Sequence, residues 1–302
     1  MRNTTETQVL PVWRSILFVP AISERFVESA FKQPADLLQV DLEDSVGLAQ
    51  KEEARARVGG IADRLAAAGR DVCVRVNRPW RMLVRDLEAA VRKSVLVVTL
   101  PKVPDASFVQ SVAEVMAELE REQGLAPGHT RIIAMVEDAE ALANINEIAT
   151  AHTRVVGLII GAEDFAASMH MAVDDDSLYI PNIMAVAAAR RAGIMPIGFV
   201  GSVADFKDQD AFRARIRRAK RLGFESAFCV HPTQVPIINE EFAPSADEVE
   251  HARGLAAEFE RQVQGGRAAF TYKGRMVDQP VLDQARQLLA RHAAVMAREG
   301  KG

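Results

Sequence analysis

The stretch "LLQVDLEDSV" (37–46) poses the question on which the fold turns. Leu37, Leu38, Gln39 and Val40 form a mostly apolar run. It ends abruptly in Asp41, Glu43 and Asp44. On a solvated loop such carboxylates mean little. At the mouth of a barrel strand they help to build a site, because barrel enzymes carry their chemistry at the carboxyl ends of the strands. The rest of the chain has to decide between these readings.

Seven further apolar, β-branched runs bounded by turn residues accompany it: "SILFVP" (15–20), "VCVRVN" (72–77), "VLVVTLPKV" (95–103), "RIIAMV" (131–136), "VVGLII" (155–160), "MPIGFV" (195–200) and "SAFCVH" (226–231). Helical patterns rich in Ala, Glu, Arg and Leu lie between them, at 23–32, 48–68, 105–122, 139–151, 181–192 and 207–222, and around "VRDLEAAVRK" (84–93). Strands alternating with helices in this number predict a (β/α)8 TIM barrel over 1–240. A doubly wound dinucleotide fold would place a Gly-rich GxGxxG turn after the first strand, and none is there. Beyond the eighth strand, 241–302 reads as a separate C-terminal arm or lid. It holds a Ser-capped helix (245–263), a stop at "QGG" (264–266), an extended pair around "KG" (267–278) and a final amphipathic helix (279–299).

The totals narrow the function. A net charge of −4 lacks the basic bias of a nucleic-acid binder. The basic run "RARIRRAKR" (213–221) reads as a solvated helix face. Cys73 and Cys229, the only cysteines, sit in apolar runs and form no CxxC pair, which predicts core thiols in a reducing cytoplasm. The first residues lack the apolar core of a signal peptide, and the longest apolar run, 155–162, is too short to span a bilayer.

The strand ends carry the charge: Asp41, Glu43 and Asp44; Arg75 and Asn77; Lys102; Glu137 and Asp138; Glu163 and Asp164; His231. Alternation with period two turns Cys73, Arg75 and Asn77 inward, with Asp41 and Glu43. An inward arginine beside inward carboxylates must be paired or used. Glu137 and Asp164 end neighbouring strands, about 4.8 Å apart, so they can converge on one cation. Two carboxylates leaving other positions to water and substrate suit Mg²⁺, with Mn²⁺ as an alternative, and the lack of His there argues against zinc. Asp138 and Glu163 are read as helix caps. His231 reads as a backbone-bonding histidine, with a general base as the other reading. Lys102 either pairs with the inner carboxylates or meets substrate.

Six motifs in order, "RSILFVP", "ADLLQVDLEDSV" followed by "KEEAR", "VRVN", "LPKV", "GAEDFA" and "HPTQ", resemble the citrate lyase β-subunit-like proteins of the HpcH/HpaI aldolase superfamily, including malyl-CoA and citramalyl-CoA lyases. The likeness runs from 14 to about 285. It implies a homotrimeric barrel whose arm reaches a neighbouring subunit. It also implies Mg²⁺-dependent cleavage of a 3-hydroxyacyl-CoA to an acyl-CoA and an α-oxo acid. By the same resemblance, Glu137 and Asp164 hold the metal, while Glu43 and Asp44 hold metal-bound waters or orient the site. Arg75 faces the oxo acid and the developing enolate, and Asp278 in "GRMVDQP" is the acid/base carboxylate. The partners so implied are small acyl-CoA and oxo-acid molecules, with neither nucleic acid nor membrane. Related readings are a citrate lyase β-subunit acting on an acyl-carrier thioester and a CoA-independent pyruvate or oxaloacetate class II aldolase. That second aldolase type carries an early histidine base, and this chain has no His before His129.

Departures from the family pattern lie near the expected CoA and substrate region. Ala21 stands in "FVPA" where Gly is common, and Ala resists some backbone conformations that Gly permits. Ser29 stands where a lysine is common, and "VEDAEAL" (136–142) replaces an "ETA-G-L" run.

Overall fold

The computed structural model describes residues 11–203, 207–265 and 269–300. The N-terminal stretch read for a signal peptide falls largely outside these, as do Gly266 of the expected helix stop and 267–268 of the expected extended pair. The chain forms two compact units, divided between Glu240 and Glu241.

The first unit alternates strands and helices: β1 (Ser15–Pro20), α1 (Glu24–Ala30), β2 (Leu37–Asp41), α2 (Lys51–Ala67), β3 (Val72–Arg75), α3 (Trp80–Ala90), β4 (Val97–Leu100), α4 (Ala106–Glu122) and β5 (Arg131–Val136). There follow α5 (Ala139–Ala143), α6 (Ile145–Thr150), β6 (Val155–Ile160), α7 (Ala162–Ser168), α8 (Asp175–Ala192), β7 (Met195–Ile197), α9 (Gln209–Leu222), β8 (Ala227–Cys229) and α10 (Gln234–Phe242). All strand pairs of this sheet are parallel, in the order β7-β6-β5-β4-β3-β2-β1-β8. A bridge between Ile197 and Ser226 joins the two ends. The result is the expected (β/α)8 barrel.

Period-two alternation fills its centre. Ile16, Leu37, Cys73, Val97, Ile133, Met135, Ile159, Met195 and Phe228 form one buried cluster, with Trp13 beneath them. Both cysteines are fully buried, as small core residues should be. Burial pushes their thiols well above the ordinary range, Cys73 to about 12, so neither is a ready nucleophile.

Several elements are shorter than their hydrophobic runs. β4 ends at Leu100 because Pro101 follows and Lys102 takes a positive φ of 50°. β7 ends at Ile197 because Gly198 turns out of the sheet at φ 130°. The segment expected as one helix over 139–151 breaks at Asn144, whose side chain bonds the Pro104 carbonyl at 3.0 Å. Conversely α8 starts six residues before the expected 181. Asp174 and Ser177 form a reciprocal capping box there, so Pro181 lies inside the helix rather than at its start. Among the described residues no helix is long and apolar enough to cross a membrane.

The second unit holds α11 (Ala246–Gln264), an antiparallel hairpin of β9 (Phe270–Tyr272) and β10 (Arg275–Val277), and α12 (Gln279–Glu299). Ser245 and Glu248 cap α11 reciprocally. Lys273 and Gly274, both at positive φ, make the tight turn that a right-twisted hairpin requires. Leu255, Phe259, Val277 and Leu282 form its core.

Candidate active site

The loop after β2 is built before it is used. Asp41 is fully buried, and its carboxylate accepts the N–H groups of Glu43 and Ser45, each at 3.1 Å. The Lys51 ammonium donates to the carbonyls of Leu42 (2.8 Å) and Glu43 (2.7 Å). The loop is thereby fixed, and it presents Glu43 nearly buried and Asp44 half exposed.

The β2–β3 register sets Asp41 opposite Arg75. Arg75 Nε and Nη2 fork onto the two oxygens of Asp41 at 2.7 and 2.8 Å. Its Nη1 meets Glu43 (2.8 Å) and Asp44 (3.1 Å), and the guanidinium lies 4.8 Å from the Phe18 ring centre. Burial is the largest influence on Asp41 and pushes its pKa up, but the Arg75 bonds outweigh it and hold the carboxyl below its usual range. For Glu43 the balance reverses. Burial raises its pKa further than Arg75 and Lys102 lower it.

Asn77 does not join this inward row. β3 stops at Arg75, so the alternation ends there. The Asn77 amide instead donates to the Leu42 carbonyl (3.0 Å) and to Asp86 of α3 (2.6 Å).

On the next strands, the β5–β6 register sets Val136 beside Ile160, so Glu137 and Gly161 meet at the strand ends. A Cβ on Gly161 would lie 2.3 Å from Glu137 Oε1, so only glycine leaves room for that carboxyl. Glu137 Oε2 accepts the Lys102 N–H at 2.5 Å. Burial pushes the Glu137 pKa up to about 8, and the charges of Glu43 and Asp164 add to it against the Lys102 bond. Asp164 lies in the first turn of α7 and is partly exposed.

Lys102, left open by the sequence, turns out to be central. Its Nζ lies 2.8 Å from Glu43, 3.6 Å from Asp164 and 3.9 Å from Asp44. Burial would lower its pKa, but Glu43, Asp44 and Asp164 outweigh that and raise it. It pairs with the inner carboxylates, and its position at a strand end was the available signal.

The cap readings divide. Asp138 is the N-cap of α5, accepting Ala141 N–H at 2.7 Å. Glu163 is not a cap: the N-cap of α7 is Gly161, and Glu163 sits one residue inside the helix, bonding the Ser202 hydroxyl. His231 Nδ1 pairs with the Thr233 hydroxyl at 2.8 Å, within its own turn. Ala21 takes no positive φ, so its methyl group causes no backbone strain. Asp278 belongs to the second unit, where it is the N-cap of α12 and accepts Val281 N–H at 3.4 Å.

A cavity of about 610 Å³ opens over the barrel centre. Phe18, Met135, Ile159 and Phe228 supply apolar lining, while Asp44, Arg75, Glu137 and Asp164 supply charge. Arg25 and Ser29 of α1 also line it.

Carboxylates outnumber cations here. Asp41 is matched by Arg75, yet Glu43, Asp44, Glu137 and Asp164 share what remains of Arg75 together with Lys102. Burial and the neighbouring carboxylates disfavour charge on Glu137, and a bound cation would offset both. Among the described residues no cluster of three or more His, Cys, Asp or Glu forms a ready metal cage. Glu137 and Asp164, two carboxylates lining one cavity, suit Mg²⁺, which takes oxygen ligands and keeps water or substrate oxygens in its other positions.

A closed barrel with an acidic, arginine-bearing cavity at the carboxyl ends of its strands defines a TIM-barrel enzyme. The chain belongs to the HpcH/HpaI aldolase/citrate lyase family, whose model matches residues 14–232, and it is a lyase of that family. It is 34% identical to the citrate lyase subunit beta of Escherichia coli strain K12 over 283 residues, covering 92% of each chain. It is 32% identical to an L-malyl-CoA/beta-methylmalyl-CoA lyase of Cereibacter sphaeroides over 304 residues, again 92% of each. Among solved structures it resembles protein CitE from Mycobacterium tuberculosis in complex with magnesium, acetoacetate and coenzyme A. The TM-score is 0.73 and the identity 29%, covering 94% of this chain and 99% of that one.

Proposed function

We propose that this protein cleaves the carbon–carbon bond of a 3-hydroxyacyl-CoA of the malyl-CoA or citramalyl-CoA type, releasing an acyl-CoA and an α-oxo acid. The observation that carries the proposal is that Arg75, Glu137 and Asp164 line one cavity together with apolar side chains from the barrel strands. The malyl-CoA-type relative and the coenzyme A-bound CitE structure support the substrate class.

Glu137 and Asp164 would hold Mg²⁺. When bound, the metal supplies Lewis-acid polarisation and a template for the oxo acid's oxygens. The chain's own residues do the rest. Arg75 sets fixed positive charge where the enolate develops, and Asp41 holds its guanidinium plane by two bonds, so little reorganisation is needed. Glu43 and Asp44 orient Arg75 Nη1 from the other side. In cleavage, the proton of the 3-hydroxyl leaves through water to solvent, the oxygen's electron pair forms the carbonyl of the oxo acid as the C2–C3 bond breaks, and the C2–C3 pair passes to the thioester as an enolate. Asp278 then protonates the enolate carbon. This role comes from the "GRMVDQP" match and asks that Asp278 be desolvated by closure of the arm. The arm is assigned to a neighbouring subunit of a homotrimer.

The test is release of glyoxylate or pyruvate from malyl-CoA and citramalyl-CoA by the purified protein, with Mg²⁺ and with EDTA. Metal-dependent release is expected. No release from either ester, in protein that binds Mg²⁺, would transfer the assignment to the second reading, an acyl-carrier thioester. That reading is favoured by the equally long match to the E. coli citrate lyase subunit and by Ser29 in place of lysine.

A further inference from the structure

Lys102 holds a backbone conformation that side chains disfavour, φ 50°, at the carboxyl end of β4. That conformation has two consequences at once. It aims the backbone N–H at Glu137, 2.5 Å away. It also sends the side chain to Glu43 at 2.8 Å, with Asp164 and Asp44 at 3.6 and 3.9 Å. One residue thus reaches all four of these carboxylates from its two ends. Without it, these four carboxyl groups would share one corner of the site with only Arg75 Nη1, which reaches Glu43 and Asp44, as a cation.

We propose that Lys102 is a positioning residue that serves as the site's own cation. Its ammonium holds Glu43, Asp44 and Asp164 together in the metal-free protein, and it yields Asp164 when a divalent cation arrives. The inference rests on the reading of Glu137 and Asp164 as metal ligands. The distances indicate which contact gives way. The bond to Glu43 is short, whereas the approach to Asp164 is a looser ion pair. Four flexible methylene groups let the ammonium withdraw onto Glu43 without moving the backbone that holds Glu137. Lys102 and the metal therefore compete for Asp164 while cooperating in the placement of Glu137.

The test is calorimetric titration of Mg²⁺ into the wild-type protein, Lys102→Met and Lys102→Arg. Removing the competing charge is expected to tighten Mg²⁺ binding roughly tenfold in Lys102→Met, the scale of one charge acting on a divalent ion through a largely aqueous dielectric. The same variant should melt at a lower temperature than wild type without metal and regain the difference with saturating Mg²⁺. Lys102→Arg, which keeps the charge, should bind Mg²⁺ like the wild type. Equal or weaker binding by Lys102→Met overturns the inference and leaves the metal reading standing. Absence of Mg²⁺ binding by every protein overturns both. Should Lys102→Met not fold, the wild type still decides. Labelling of Lys102 by an amine-reactive ester, read by mass spectrometry, should rise on adding Mg²⁺. A fall, or no change while Mg²⁺ binds, overturns the competition.

Discussion

At Arg75 the structural ties and the proposed chemistry fall on the same guanidinium. Asp41 takes two of its nitrogens, and Glu43 and Asp44 share the third. Arg75→Ala would leave Asp41 fully buried with two backbone N–H bonds but no cation beside its charge. We expect a loss of about 3–5 kcal/mol in denaturant unfolding, the usual cost of breaking a buried pair from one side. Loss of cleavage should accompany it. Arg75→Lys separates the two effects. It keeps the charge but not the fork, so stability should recover in part while kcat stays low. A lysine variant with wild-type kcat would remove Arg75 from the chemistry. At this scale much was legible. The alternation of "VDLED" and "VCVRV" placed Asp41, Glu43 and Arg75 on one inward face. Lys102 was not resolved, because its role depends on a positive φ that no residue pattern announces. Glu163 was misread as a cap because the helix starts at Ala162, two residues earlier than a cap at Glu163 requires.

Elements carry the next layer. The junction of β6 with α7 works only because Gly161 makes room for Glu137. Gly161→Ala should displace that carboxyl and weaken Mg²⁺ binding at least tenfold, with the circular dichroism spectrum unchanged; calorimetry beside a thermal melt checks both. Farther along the chain, α4 is tied to β6 by Glu120 and Arg154, both nearly fully buried and joined by two bonds of 2.6 Å. Burial pushes Glu120 up, but Arg154 and the N–H groups of Thr130 and Gly128 outweigh it and depress its pKa. A depressed carboxyl contributes stability above its unfolded pKa of about 4.3 and loses it as pH falls through the folded value. Unfolding free energy should therefore drop between about pH 5 and pH 3, and Glu120→Gln/Arg154→Met should flatten that drop. A double variant as acid-sensitive as wild type would show that other carboxyls govern the transition. Element existence was readable from periodicity for every strand. Ends were less so, since Pro101 and Gly198 cut β4 and β7 short and the Asp174 capping box lengthened α8.

The whole molecule adds what no single element contains. The proposed cycle needs Asp278 of the second unit at a barrel cavity, and the family resemblance assigns it to a neighbour's barrel. Asp278→Asn and Glu137→Gln are each expected to be inactive alone, and mixing them after mild dissociation and reassembly should then restore measurable cleavage. Each mixed trimer would hold at least one site with both carboxylates intact. Continued inactivity in reassembled trimers would place the arm over its own barrel. The ring of strands also has a seam. Along β1 and β2 the ladder is continuous, with five register pairs from Ile16–Leu37 to Pro20–Asp41. β7 and β8 are held by one bridge, with backbone bonds from Gly198 to Ser226 (2.8 Å) and from Glu225 to Pro196 (3.1 Å). Deuterium should enter the amides of Gly198 and Glu225 before those of β2 or β5, and a barrel that breathes would part along this line. Phe199 and Phe228 flank it and also line the cavity. The proposed thioester can thus gain room at the edge where the cylinder is least closed, while the facing strands β3 and β4, from whose ends Arg75 and Lys102 project, stay still.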